Sequence, residues 1–423
     1  MAASKLEITA DYIRSRYAQG AEFRYDVLSR KVQRLDASGR WTNLTDKDIN
    51  TIACDCATAT GANITDREVR IVLGSDLVTN IHPLRDWLAN LKPYDPRSGE
   101  WIDLVSGQVK IAPNPDPSPL MGKGVDPAQV LWQAYFKKWF VAMVAGWMYD
   151  DVVNHQVLVL IGRQGTGKTT WLEHLMPPEL RDYVTKQASV RELSKDDRIR
   201  VAEFGLINMD EIDSCSPREL NVLKSLITTA DVNERAAYGH TKERRMRVAS
   251  FCASGNNKQF LSDDTGNRRW LPFEVESIQN PFHTTIPYNL MYAQAVWLIQ
   301  QGYNYWFDMD EIAQLETHNE TYRQTRNEEE LLGVYFEPVE PTEPKAVFMT
   351  ASEIHAKLKM WGSIEKPMPL NKFGELLKRR GYLQRKLHGG RPGYIVKVTD
   401  NVQGKQREVI NELLNGEGGD STF

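Results

Sequence analysis

The chain has 423 residues, 41% hydrophobic and 26% charged, with a net charge of −4. That is ordinary globular composition, long enough for about three domains, and it excludes a uniformly basic nucleic-acid coat while leaving room for a local basic face. Four cysteines (Cys54, Cys56, Cys215, Cys252) at no zinc spacing exclude a disulfide scaffold and suit a reducing compartment.

The N-terminus lacks an apolar signal core, and the most apolar stretch, Trp139–Tyr149, is too short to span a bilayer. A soluble, cytoplasmic protein is expected. Residues 1–91 read as a small α+β accessory domain. Phe23–Leu28 and Lys31–Asp36 form a hairpin-like pair, and a helix runs from Thr45 to Thr58 with Thr45 as its cap. Residues 92–127 carry seven prolines and read as a surface linker. From Gln129 to Met148, Leu131, Tyr135, Trp139, Val144 and Trp147 recur at helical spacing.

Val157–Ile161 is an apolar strand that runs into Gly162-Arg163-Gln164-Gly165-Thr166-Gly167-Lys168-Thr169-Thr170, with a helix beginning near Thr169. This is the G-x-x-x-x-G-K-T loop, whose backbone N–H groups turn inward around phosphate oxygens. Lys168 would reach the β- and γ-phosphates, and the Thr169 hydroxyl would ligate Mg²⁺. The strand before and the helix after count against a chance Gly-rich turn.

Hydrolysis needs a carboxylate for the metal and a group that activates water. Gly205-Leu-Ile-Asn-Met-Asp210-Glu211 offers both, with Asp210 on Mg²⁺ and Glu211 on the attacking water. The next apolar strand, Val248–Ser254, ends in Gly255-Asn256-Asn257, where Asn257 is read as a sensor amide for the γ-phosphate or the lytic water. Arg268 and Arg269 follow, and either could serve as an arginine finger to a neighbouring subunit. Between carboxylates and sensor, residues 238–247 hold a net charge of +3 with Tyr238 and His240 beside Lys242, Arg244 and Arg245. A basic, aromatic hairpin tip suits single-stranded DNA, and a solvated charged hairpin is the equal alternative.

After residue 275 the chain shows a helix over Asn289–Gln301, an acidic connector over 326–345, a compact unit over 346–400 and a tail over 401–423. Thr350 and Glu353 form a capping box, and a second helix, Asn371–Arg380, ends at Gly381. Two strands joined by a Gly-rich turn complete what looks like a winged helix-turn-helix. Residues 366–391 hold a net charge of +7, including Lys378, Arg379, Arg380 and Arg391, which reads as a duplex-binding face. A protein-docking surface is the alternative.

Taken together, the sequence resembles the virulence-associated protein E family, phage- and mobile-element ATPases related to superfamily 3 helicases. The matching segments run from Ile81-His-Pro-Leu-Arg-Asp-Trp87 through Gly162–Thr170, Met209-Asp-Glu211, Leu223–Thr228, Asp231-x-x-x-Arg235-x-x-Tyr238-Gly and Ser254–Asn257 to Asp264–Trp270. The resemblance implies an α/β P-loop NTPase core over 128–325, AAA+-like, with helices on both faces of a parallel sheet. It further implies a hexameric ring, ATP and Mg²⁺ as cofactors, movement on single-stranded DNA, and a bacterial host cytoplasm. The expected function is a replicative DNA helicase with an origin duplex and a primase among its partners. Two alternatives stay open: a ring ATPase that melts an origin or loads another replication protein, and a nucleotide-gated DNA-binding regulator.

Overall fold

The computed structural model describes residues 3–17, 22–113, 126–187, 194–234, 243–261, 266–324, 327–362, 364, 367–386 and 392–399. The chain divides into two compact units, Met1–Arg323 and Gln324–Phe423.

Mixed α/β structure fills the first unit. Its central sheet runs in the order Val109–Ile111, Trp270–Ile278, Val157–Ile161, Ser250–Gly255, Leu206–Met209, Val184–Gln187. All neighbours pair in parallel except the first, an antiparallel edge. Every residue of Val157–Ile161 and Ser250–Gly255 is buried, which explains the unbroken apolar run of the first. Successive side chains point to opposite faces. Leu158, Leu160, Leu206, Cys252 and Leu271 therefore join one apolar cluster, while Val157, Val159, Ile161, Ile207, Met209 and Phe251 join another.

The helix Pro127–Met148 fills the first of these clusters. Asp126 caps it by accepting from Ala128 N, with Pro127 at the first helical position, where no N–H is missed. Its buried tryptophans find acceptors for their indole N–H groups. Trp132 donates to Ser106 O at 2.9 Å, Trp139 to Phe251 O at 3.1 Å and Trp147 to Gly205 O at 3.2 Å. Among the described residues no helix is long and apolar enough to cross a membrane.

Residues 92–113, the described part that precedes the long helix, depart from the expected linker. They contain a helix, Trp101–Ser106, and the antiparallel edge strand Val109–Ile111, both contributing to the core. Residues 114–125, with Pro115, Pro117 and Pro119, lie outside the described residues; within the described part Ile102, Val105, Val109 and Ile111 are buried. The N-terminal segment forms a four-stranded sheet in the order Trp41–Asn43, Lys31–Leu35, Phe23–Asp26, Thr79–Ile81, with the helices Lys5–Arg16, Asp46–Thr60 and Asp66–Leu73 sharing its core. It belongs to the same compact unit as the central sheet. Buried Asp26 accepts from the hydroxyl of Tyr183, and the Arg85 guanidinium reaches Trp147 O and Asp150. The Ile81–Trp87 motif thus runs from the last residue of the strand Thr79–Ile81 through the cap His82 into the short helix Pro83–Ala89, whose Leu84 joins the core.

In the second unit three short strands pair antiparallel with Pro392–Val398, over the helices Asn327–Tyr335, Ala351–Gly362 and Leu370–Arg379. The expected acidic connector begins as a helix whose Leu332 and Tyr335 enter this core. Glu328 and Glu329 are buried. Glu328 accepts from Met368 N at 2.6 Å, and Glu329 accepts from Arg379 and Arg380, so these acids are internal anchors.

Candidate functional site

Three parallel strands end at the same edge of the central sheet, and each delivers one part of the site. The strand Val157–Ile161 leads into the Gly-rich loop, Leu206–Met209 into Asp210, and Ser250–Gly255 into Asn256. Register matters here: Gly255 lies opposite Ile161, and Ala253 opposite Met209.

Steric demand explains the glycines of this edge. A Cβ on Gly162 would stand 2.9 Å from Val275 O, and one on Gly255 would stand 2.8 Å from Asp213 Oδ1. Gly165 and Gly167 adopt φ of +81° and +85°, which side-chain-bearing residues avoid. The helix Lys168–His174 follows directly. Lys168 Nζ donates to Gly162 O at 2.7 Å and to Arg163 O at 2.8 Å, and lies 3.4 Å from Asn256 Oδ1. Burial lowers the Lys168 ammonium below its ordinary pKa, while Asp213 and Asp210 oppose that shift.

Asp210 Oδ1 accepts from Ser254 Oγ at 2.7 Å and from Thr169 Oγ1 at 3.1 Å. Glu211 is exposed and holds φ of +53°, a left-handed conformation uncommon for a non-glycine residue and of a kind that clusters at functional sites. A cleft of about 310 Å³ opens among Gln164, Lys168, Thr169, Asp210, Glu211 and Asn256. No group of three or more His, Cys, Asp or Glu side chains that could hold a metal ion occurs among the described residues. One carboxylate and one hydroxyl are oxygen donors of the kind that hold Mg²⁺ together with phosphate oxygens and water. Thr169 and Asp210 fit such an ion.

Asn257 departs from its expected place. Its backbone N–H donates to Asp213 Oδ2 at 2.9 Å, and its side-chain Oδ1 accepts from Gln259 N at 3.0 Å in a local turn. Asn256 lines the cleft instead. Adjacent amides in a Gly-Asn-Asn turn cannot be told apart by pattern, because a single residue of strand length decides which one faces inward. Ser254 and Asp213 also escaped sequence reasoning. A serine inside an apolar strand and a third acid after Asp210-Glu211 were the available signals.

Arg268 and Arg269 precede a strand whose Trp270 pairs with Val157, at the sheet edge opposite the loop. At about 3.3 Å per strand residue they stand roughly 20 Å from the chain's own Gly162 loop. Arg268 is exposed; Arg269 is partly buried, its pKa lowered by burial and by Arg268. They line a pocket with His155, Gln156, Trp306 and Phe307.

The basic hairpin divides by residue. Tyr238, His240 and Lys242 lie outside the described residues, as does Arg391 of the C-terminal unit. Arg244 is exposed and paired with Asp231 at 2.6 Å. Arg245 corrects the expected DNA face: it is buried, pairs with Glu203 at 3.0 Å and reaches Leu28 O. Arg379 and Arg380 pair with buried Glu329 at 3.2 and 2.9 Å, and Lys378 is exposed. Alternation along a strand sends every second basic residue inward, which net charge alone does not reveal.

No curated protein matches the sequence. The apo C-terminal region of NrS-1 aligns over 93% of this chain and 100% of its own at 12% identity, with a TM-score of 0.42. A point mutant of Thermotoga maritima RuvB aligns over 65% of this chain and 95% of its own at 13% identity, with a TM-score of 0.24. Residues 124–324, which contain the Gly-rich loop, Asp210, Glu211, Ser254, Asn256, Arg268 and Arg269, match the model of the virulence-associated protein E-like domain.

Proposed function

We propose that the chain hydrolyses ATP with Mg²⁺ in the cleft beside the Gly-rich loop, and that it does so as a replicative DNA helicase of a phage or mobile element. The observation that carries the reading is the convergence of Lys168, Thr169, Asp210, Glu211 and Asn256 on one cleft at one sheet edge. Within it Lys168 steadies the β- and γ-phosphates, its short bonds now made to loop carbonyls and ready to be exchanged for phosphate oxygens. Thr169 and Asp210 hold the metal, whose charge, when bound, offsets that developing on the transferring phosphoryl group. Glu211 accepts hydrogen bonding from the attacking water and orients it. Asn256, close to Lys168, is the better sensor candidate than Asn257.

Arg268 and Arg269 lie too far to serve their own loop, which favours a ring in which they reach a neighbour's phosphates. In this reading the core is AAA+-like, the last unit is a winged helix, and six subunits surround single-stranded DNA. A second reading, a ring ATPase that melts an origin or loads a partner, draws support from the internal pairing of Arg245, Arg379 and Arg380, which leaves fewer free cations for a strand.

ATP turnover with and without single-stranded DNA, alongside unwinding of a forked duplex, tests the proposal. Stimulated turnover with unwinding supports the helicase. DNA-independent turnover without unwinding favours the loader, and absence of turnover removes the enzymatic reading.

A further inference from the structure

Ser254 is the penultimate residue of the strand Ser250–Gly255 and only 2% exposed. The strand lies between Val157–Ile161 and Leu206–Met209, with Ser254 opposite Leu160 and its neighbour Ala253 opposite Met209. The register therefore brings the Ser254 hydroxyl out between the Gly-rich loop and the acidic turn. Its Oγ lies 2.7 Å from Asp210 Oδ1 and 2.9 Å from Thr169 Oγ1, and Thr169 Oγ1 is 3.1 Å from the same Oδ1.

Each hydroxyl has one proton to give and lone pairs to accept with. Ser254 gives its proton to the carboxylate across the shortest of the three contacts. Thr169 then directs its single proton either to Ser254 Oγ at 2.9 Å or to Asp210 Oδ1 at 3.1 Å, and both acceptors hold it on the same side. The Glu211 amide adds a third donor to Oδ1 at 3.2 Å. Every hydrogen bond to the Asp210 carboxylate from the described residues falls on Oδ1, leaving Oδ2 without a donor among them.

We propose that Ser254 is a positioning residue for the divalent cation. It fixes the Asp210 carboxylate and the Thr169 hydroxyl relative to one another, so that both arrive ordered at an ion shared with phosphate. The role rests on the reading of this cleft as a Mg²⁺–ATP site. Outer partners that orient ligating groups matter to metal affinity nearly as much as the ligands they hold. A serine that only satisfied itself in the core would affect stability alone.

The full chain and its Ser254→Ala, Ser254→Thr and Ser254→Cys variants are titrated with a fluorescent N-methylanthraniloyl ATP, first in EDTA and then at increasing Mg²⁺. Ser254→Ala is expected to keep the metal-free affinity within about twofold and to raise the half-saturating Mg²⁺ concentration roughly tenfold. Ser254→Thr, which retains the hydroxyl, restores the wild-type Mg²⁺ dependence. If thermal melting shows either variant unfolded, Ser254→Cys keeps the volume with a weaker donor, and a Mg²⁺ shift is expected there too. Unchanged Mg²⁺ dependence in a folded Ala or Cys variant overturns the role while leaving the ATP site intact. Failure of the wild-type chain to bind the nucleotide overturns the ATP reading, and this role with it.

Discussion

The Tyr183 hydroxyl donates a 2.8 Å hydrogen bond to Asp26 Oδ2, tying the start of the outermost parallel strand of the central sheet to the N-terminal sheet. Asp26 is fully buried and also accepts from Leu28 N at 2.8 Å and from Ser29 Oγ. Burial and the adjacent carboxylate push the Tyr183 phenol well above its usual pKa. Tyr183→Phe removes one donor to a buried charge and should cost about 2 kcal/mol in chemical denaturation. Asp26→Ala strands several buried donors at once and should cost more. Equal stability of the Phe variant and the parent would show that the Tyr183–Asp26 bond does not help to hold the N-terminal sheet in place.

Within the cleft, Lys168 and Glu211 should separate binding from chemistry. Glu211→Gln retains nucleotide affinity and lowers turnover by at least about a hundredfold, the scale of a lost general base. Lys168→Ala weakens both. Nucleotide binding by fluorescence and phosphate release from the same preparations make the comparison. Undiminished phosphate release by the Glu211 variant would remove it as the water-activating group.

The two neighbouring amides offer a direct contrast. Asn256→Ala should lower turnover about tenfold to a hundredfold with little change in melting temperature, as expected for a lost preorganised donor. Asn257→Ala loses only the side-chain contact to Gln259 N, and its backbone bond to Asp213 survives, so turnover should fall less than threefold. Reversed results would return the sensor role to Asn257.

For the C-terminal unit, Arg379→Ala and Arg380→Ala should act on stability before they act on DNA. Each removes a partner of buried Glu329, and the pair together leaves that carboxylate without two cations, at a cost of about 3 kcal/mol or more. Lys378→Ala, at an exposed position, should leave stability unchanged and reduce the salt dependence of any DNA affinity by about one unit of slope. Denaturation curves and DNA titrations at several salt concentrations distinguish the two effects.

Much of the site was legible because its signals are local. The Gly162–Thr170 spacing, the Asp210-Glu211 pair and the long apolar helix now seen at Pro127–Met148 each sit within one continuous stretch. Local caps were equally readable: Thr45 and Thr350 both accept from the residue three further on, Asp48 and Glu353. Reading failed where the partner is distant in sequence. Arg245 looks like a DNA-facing cation until Glu203 and the Leu28 carbonyl are brought to it. Glu328 and Glu329 look like solvated acids until Met368, Arg379 and Arg380 close on them. The proline-rich stretch looks like a linker until Val109–Ile111 pairs with the far strand Trp270–Ile278.

By itself the sequence determined the loop, the acids and their order, because glycine φ angles, hydroxyl and carboxylate chemistry and strand hydrophobicity are properties of neighbouring residues. Only the tertiary structure decided that Ser254 meets Asp210, that Asn256 and not Asn257 faces the cleft, and that Arg268 and Arg269 stand at the opposite edge. Those three outcomes depend on strand order and register. A shift of one residue exchanges the two faces of a strand, and the pairing that sets it is made between segments up to about a hundred residues apart.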